Sequence, residues 1–197
     1  NDLIVGEHIA GQTELQNLVI TNTAIANFNL GNNNVELLNV EIENNPALTE
    51  ITVTDNGLRT VERLSVIDNA LSQLNLGIFS NLETLSVRNN PNLSTLDLTS
   101  INNGLPNNLN TFEGENTGIE TLDFSTSPNI EIIRLAYNSD LGGLPLNQLN
   151  LKNGNNAAIT ELNTAGHYPT LTCIEVDAAT VGTSPSGWTK DSQTVYS

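Results

Sequence analysis

The sequence predicts a solenoid of short parallel strands, and three observations carry that prediction. An apolar spacing returns along nearly the whole chain, the large residues of a compact core are scarce, and asparagine is in excess where the chain must turn. A motif repeated at a short fixed period builds units that contact only their neighbours, so one elongated domain is expected.

The spacing is apolar-x-x-apolar-x-apolar, running from Leu15 to Val176. Its clearest copy is Leu82-x-x-Leu85-x-Val87-x-x-Asn90, followed by Leu93-x-x-Leu96-x-Leu98. The apolar pairs are Leu18/Ile20, Phe28/Leu30, Val40/Ile42, Ile51/Val53, Leu64/Val66, Leu74/Leu76 and Leu85/Val87. They continue as Leu96/Leu98, Phe112/Gly114, Leu122/Phe124, Ile133/Leu135, Leu149/Leu151, Leu162/Thr164 and Ile174/Val176. Alternation at period two marks strands with one buried face. The half-units form two series. One carries a polar residue three positions after the second apolar residue: Thr23, Asn45, Asn69, Asn90, Thr117, Asn138 and His167. The other reads Leu-x-x-Leu-Asp-Leu and runs into looser turns. Pairing one of each gives a coil of about 21 to 29 residues, the range of leucine-rich repeats.

The predicted architecture is therefore a right-handed leucine-rich repeat solenoid. A parallel β-sheet lines its concave face, turns and short helical segments form its convex face, and α-helix is scarce. Residues 1–14 read as a lead-in or partial repeat, 15–177 as repeats and 178–197 as a C-terminal cap that covers the open core with Trp188 and Tyr196.

Composition agrees. Aromatics make up 4% and Met is absent, which suits ladders of stacked aliphatic side chains better than a globular core. The 32 Asn residues favour strands and tight turns over helix. Where a coil leaves a strand, backbone N–H and C=O groups face inward, away from water. An inward Asn side chain donates and accepts at once, so stacked copies satisfy the corner. Thr23 and Thr117 can do part of this, and His167 reads as a substitute corner residue rather than a ligand. Asn56-Gly57, Asn103-Gly104 and Asn153-Gly154 supply positive-φ turns. Two coils carry extra residues, Thr99–Thr111 and Ala136–Gln148, the latter with Gly142-Gly143-Leu144-Pro145.

The formal charge is −16, from 22 acidic and 6 basic residues. That balance excludes nucleic acid and anionic membrane surfaces as partners and serves solubility. Cys173 is the sole cysteine, so no disulfide closes within this sequence. No stretch reads as a transmembrane helix, so no membrane insertion is expected. No signal-peptide pattern stands at Asn1, and the opening Asp2-Leu3-Ile4-Val5 resembles a half-repeat cut from something longer.

Catalytic constellations are scarce. His8 and His167 lie near opposite ends of an extended chain. His-x-x-x-His, Cys-x-x-Cys and Glu-x-x-His spacings are missing, as are EF-hand and nonapeptide calcium patterns. Carboxylates on neighbouring coils are what this composition places together by chance. No catalytic residue, metal or cofactor is expected.

Side chains between the buried positions of the Asn-bearing series point outward in two columns. The first reads Val19, Glu41, Ser65, Ser86, Glu113, Arg134, Asn163 and Glu175. The second reads Thr21, Glu43, Ile67, Arg88, Glu115, Ala136, Ala165 and Asp177. Neighbours in a column touch across parallel strands. Glu113 should thus meet Arg134, and Arg88 should meet Glu115. Glu41, Glu43, Arg63, Ile67, Arg88, Glu113, Glu115, Arg134 and Tyr137 form the candidate binding surface, since Arg and Tyr are enriched among interface anchors.

The repeats also resemble leucine-rich repeat domains of secreted and surface proteins from Bacteroidota, of flavobacterial type. The most specific part is Leu149-Asn150-Leu151-Lys152-Asn153-Gly154-Asn155-Asn156 through Leu171-Thr172-Cys173-Ile174-Glu175-Val176-Asp177, then Gly187-Trp188-Thr189-Lys190-Asp191-Ser192-Gln193. His167-Tyr168-Pro169, where Asn-Asn-Pro is usual, and Ala178-Ala179 depart from that pattern. The resemblance implies export, a sorting domain beyond Ser197, and a partner for Cys173 past the end of this sequence. The function expected is an extracellular, non-catalytic recognition or adhesion module, monomeric, that binds a protein partner. A carbohydrate-binding module acting on a surface glycan and a structural spacer are the alternatives. An adhesin predicts an apolar cluster near Ile67, Ile132 and Tyr137; a spacer predicts none.

Overall fold

A computed structural model describes residues 2–4, 15–29, 36–52, 59–141, 145–183 and 185–197. The rest of the expected lead-in with His8, the apolar positions Leu30 and Val53, the Asn56-Gly57 turn and Gly142-Gly143-Leu144 lie outside the described residues. The chain is a parallel β-solenoid of about seven turns with little helix.

One face is an eight-stranded parallel sheet. Its strands in spatial order are β2 (Asn17–Thr21), β4 (Asn39–Asn45), β6 (Arg63–Asn69), β7 (Thr84–Ser86), β8 (Thr111–Glu113), β10 (Ile132–Arg134), β12 (Glu161–Thr164) and β14 (Trp188–Lys190). The register pairs Leu64 with Leu85, Leu85 with Phe112 and Phe112 with Ile133, so the apolar rungs stack side by side. Partners lie 21 residues apart at the closest, Leu64 to Leu85, and 29 at the furthest, Ile133 to Leu162. This is the coil length that the paired half-units imply.

The opposite face, expected as turns and short helical pieces, also carries parallel sheets. One contains β1 (Asp2–Ile4), β3 (Asn27–Asn29) and β5 (Glu50–Thr52), extended by a single bridge from Glu50 to Gln73. The other contains β9 (Thr121–Asp123), β11 (Gln148–Asn150), β13 (Cys173–Glu175) and β15 (Val195–Tyr196). The cause is the second apolar series. Its own period-two alternation buries Leu122, Leu149 and Ile174 in one row, which brings their backbones into pairing register. Short 3-10 segments occur at Leu98–Gly104, Ser139–Leu141 and Asn156–Ala158.

Residues 178–197 continue the winding. Trp188 pairs with Leu162 and Tyr196 with Ile174, so β14 and β15 add one rung to each face. The two rings meet edge to face at 5.4 Å and pack against the core. This also corrects the end of the outward columns. Glu175 lies in β13 on the opposite face and Asp177 follows it, whereas Thr189 is the neighbour of Asn163.

Between the faces lies one aliphatic core that includes all four phenylalanines, each fully buried. Phe112 and Phe124 meet edge to face at 5.5 Å. Gly114 holds an otherwise apolar position because the Phe112 ring fills the space: a Cβ there would sit 2.7 Å from Phe112 Cε1.

The corners beside the eight-stranded sheet are held by inward polar side chains. Asn69 Nδ2 donates to Ile42 O at 2.8 Å and Ile67 O at 2.9 Å, and its Oδ1 accepts from the Asn45 amide at 3.0 Å. Asn45 and Asn90 repeat the pattern one coil down and one coil up. Thr117 makes one bond, to Gly114 O at 3.1 Å. The residue before each of these, and before Thr23, takes a left-handed step: Asn22, Asn44, Asp68, Asn89 and Asn116 all have φ of 55–56°. Asn and Asp tolerate that region because their short polar side chains bond locally. Gly166 takes the same step at φ 93° before His167, packed so closely on the Tyr137 carbonyl that no Cβ fits.

Asn138 departs from the expected series. It is exposed, and its Oδ1 accepts from the Asp140 amide in its own turn. The residue before it is Tyr137, which has no positive φ, so the chain is not turned to drive Asn138 inward. His167 of the next coil covers that corner, bonding Leu135 O through Nε2 and the Leu146 amide through Nδ1.

Asn69→Ala should cost about 1–3 kcal/mol for the buried groups it orphans. Asn138→Ala should stay within about 0.5 kcal/mol. Urea unfolding of the two variants checks this, and equal losses would refute the inward ladder.

Candidate functional site: the charged face of the eight-stranded sheet

The register places the outward row as expected from Val19 to Asn163. Val19 pairs with Glu41, Glu41 with Ser65, Ser65 with Ser86, Ser86 with Glu113, Glu113 with Arg134 and Arg134 with Asn163. Strand pairing sets these neighbours about 4.8 Å apart, within reach of long charged side chains.

At the centre is a chain of ion pairs crossing several coils. Arg134 Nη1 meets Glu113 Oε1 at 2.6 Å, as the columns require. The same guanidinium also binds Glu161 through Nε and Nη2, both at 2.8 Å. That bidentate pair was missed because Glu161 stands diagonally, opposite Ile132, rather than in the Arg134 row. Arg88 pairs through Nε with Glu113 Oε2 at 3.4 Å rather than with Glu115. Arg88 and Glu115 both lie past the ends of β7 and β8, where the Asn89 amide still bonds the Glu115 carbonyl at 2.9 Å, but Glu113 offers Arg88 its second oxygen.

The electrostatics follow. Hydrogen bonds from Arg134 pull the Glu161 carboxyl below its ordinary range, and Glu161 and Glu113 together stabilise the guanidinium charge. Glu115 goes the other way. Burial pushes its carboxyl up and Glu113 adds repulsion, outweighing a hydrogen bond to its own backbone and the pull of Arg88 and Arg134, and its Oε2 is buried without a hydrogen-bond partner.

The remaining candidates are spread along the face. Glu43 accepts from Ser65 Oγ at 2.8 Å, Glu41 is half-buried on β4, and Arg63 is exposed on β6. Ile67 is only 8% exposed, and Tyr137 is half-buried and stacks on His167 at 5.5 Å.

Sequence reasoning also missed an outer polar ladder along the left-handed corner residues. Asn89 Nδ2 donates to Asp68 Oδ1 at 2.8 Å, Asn116 Nδ2 to Asn89 Oδ1 at 3.0 Å, and the Asn138 amide to Asn116 Oδ1 at 3.0 Å. Its signal is legible as the Asn or Asp that stands directly before each corner residue from Thr23 to Thr117.

Cys173 lies in β13 with its Sγ against Ser197 Oγ. Among the described residues, no group of three or more His, Cys, Asp or Glu is placed to hold a metal ion. No helix among them is long and apolar enough to cross a membrane. No protein-family model, curated protein or solved structure matches the chain.

Two outcomes follow for the charged row. An Arg134→Gln/Glu161→Gln double-mutant cycle should give a coupling of about 0.2–1 kcal/mol that shrinks in high salt. A zero coupling at low salt would remove the pair as a structural element. Glu115, with its folded-state pKa raised, binds more protons folded than unfolded, so it costs stability once pH exceeds its ordinary value. Glu115→Gln should therefore raise the thermal midpoint at pH 7, with the gain narrowing towards pH 4; a gain that stays constant with pH would contradict this.

Proposed function

We propose that this protein is a non-catalytic extracellular recognition module that binds a protein partner through the outer face of the eight-stranded sheet. The reading includes a right-handed leucine-rich repeat solenoid with that face concave, in a secreted or surface protein of the Bacteroidota type that the sequence resembles. The observation that carries it is the row of charged groups held in fixed geometry across neighbouring coils, Arg88, Glu113, Arg134 and Glu161, continued by Glu41, Glu43 and Arg63. Charged rows of this kind steer and orient a polar partner more than they supply raw affinity.

A second reading, a structural spacer, is favoured by one specific observation. Ile67 is buried, and Ile132 and Tyr137 are only half-exposed, so the apolar cluster that adhesion would use near these three residues is no more than partly open. If a partner does dock on this face, its contacts are polar and of modest affinity.

The test is capture from host or algal extracts beside a glycan array, each run with wild type and with Arg88→Glu/Arg134→Glu. A protein captured by wild type and lost by the variant is expected. A glycan bound equally by both would move function to another surface, and silence in both assays would leave the spacer.

A further inference from the structure

We propose that His167 is a pH-sensitive latch: its neutral imidazole holds the corner between β10 and β11 closed, and protonation releases the Leu146 amide. The geometry assigns the tautomer. Nδ1 stands 2.8 Å from the Leu146 backbone nitrogen, which can only donate, so Nδ1 must be unprotonated and accept. Nε2 faces the Leu135 carbonyl, which can only accept, so Nε2 carries the hydrogen. An imidazolium keeps the second bond and forfeits the first, turning two hydrogens towards each other. The asparagines at other corners have no such second state, because an amide does not titrate.

The latch closes a defined piece of chain. Leu146 is held at both backbone groups by the following coil: its N–H by His167, its C=O by Thr170 Oγ1 at 2.9 Å. Its side chain is buried and forms part of the core. The small cavity beside the ring is walled by Ile119, Leu122, Leu135 and Leu146, and none of these titrates. Tyr137 is stacked on the imidazole, with ring centroids 5.5 Å apart. The charged group that acts on the ring is Asp191, on the turn after β14, whose carboxylate accepts the Gly166 and Tyr168 amides. Asp140 lies exposed in the same coil as Leu146.

Burial pushes the His167 pKa below its ordinary value of 6.5, with the Leu135 carbonyl and Asp191 opposing more weakly. The sign follows. Above 6.5 the closed corner has its full stability. As pH falls below 6.5 the opened corner takes up a proton that the closed one does not, so opening gains up to about tenfold per pH unit. The gain ends once the closed form titrates as well.

Amide hydrogen exchange in the intact protein tests this, with Leu71, whose amide is held by Asn90 Oδ1, as the internal reference. Between pH 7.5 and 5.5, corrected for intrinsic rates, Leu146 protection should fall by up to about tenfold relative to Leu71, and His167→Asn should abolish the difference. Parallel behaviour of the two amides in the native protein would overturn the latch. Should His167→Asn fail to fold, nitrogen NMR of the wild-type ring decides: a bare Nδ1 at pH 7.5 that gains its proton as Leu146 loses protection supports it, and a protonated Nδ1 at pH 7.5 overturns it.

Discussion

A solenoid coil has to turn inside its own core, and the backbone groups at that turn cannot reach water. Everything else in this structure depends on how those groups are satisfied. At Asn45, Asn69 and Asn90 one side chain binds carbonyls of its own coil and of the preceding coil while accepting an amide from the latter. A buried polar group without a partner costs about 1–3 kcal/mol. With at least three such groups at each of these Asn corners, an apolar residue there would forfeit an appreciable part of a domain's net stability. The corner residue also ties adjacent coils together, so it sets their spacing as well as the turn.

That constraint explains the sheet face. Once the corners hold the coils in register, outward side chains on successive strands must be neighbours, and a chain carrying −16 charges has to avoid placing carboxylates side by side there. Arg134 between Glu113 and Glu161, and Arg88 beside Glu113, are that arrangement. The pairs are partly solvated, so each contributes little to stability. What they provide is a fixed pattern of charge, which is why polar recognition and simple relief of repulsion both fit the same side chains.

The stacking register of the repeats was legible from spacing alone, because aliphatic rungs leave few alternative ways to stack. So were most corner residues, since buried Asn at fixed intervals has a single economical use. Asn138 was misplaced for a readable reason: Tyr137 precedes it where Asn, Asp or Gly precedes the others, and a bulky residue resists the left-handed step. The assignment of Glu175 and Asp177 to the eight-stranded sheet failed because the long last coil hid a further pair of strands, Trp188–Lys190 and Val195–Tyr196.

The amino-acid sequence by itself determined the winding: coil length, buried rows, and most of the residues that turn the corners. These are local periodicities, and period-two alternation or a recurring Asn carries them without knowledge of distant contacts. Tertiary structure alone decided which oxygen each guanidinium chose, that Glu115 Oε2 is buried without a hydrogen-bond partner, and that His167 closes a corner belonging to another coil. Those outcomes depend on differences of an ångström or two between side chains far apart in the chain, and no spacing rule resolves distances that small.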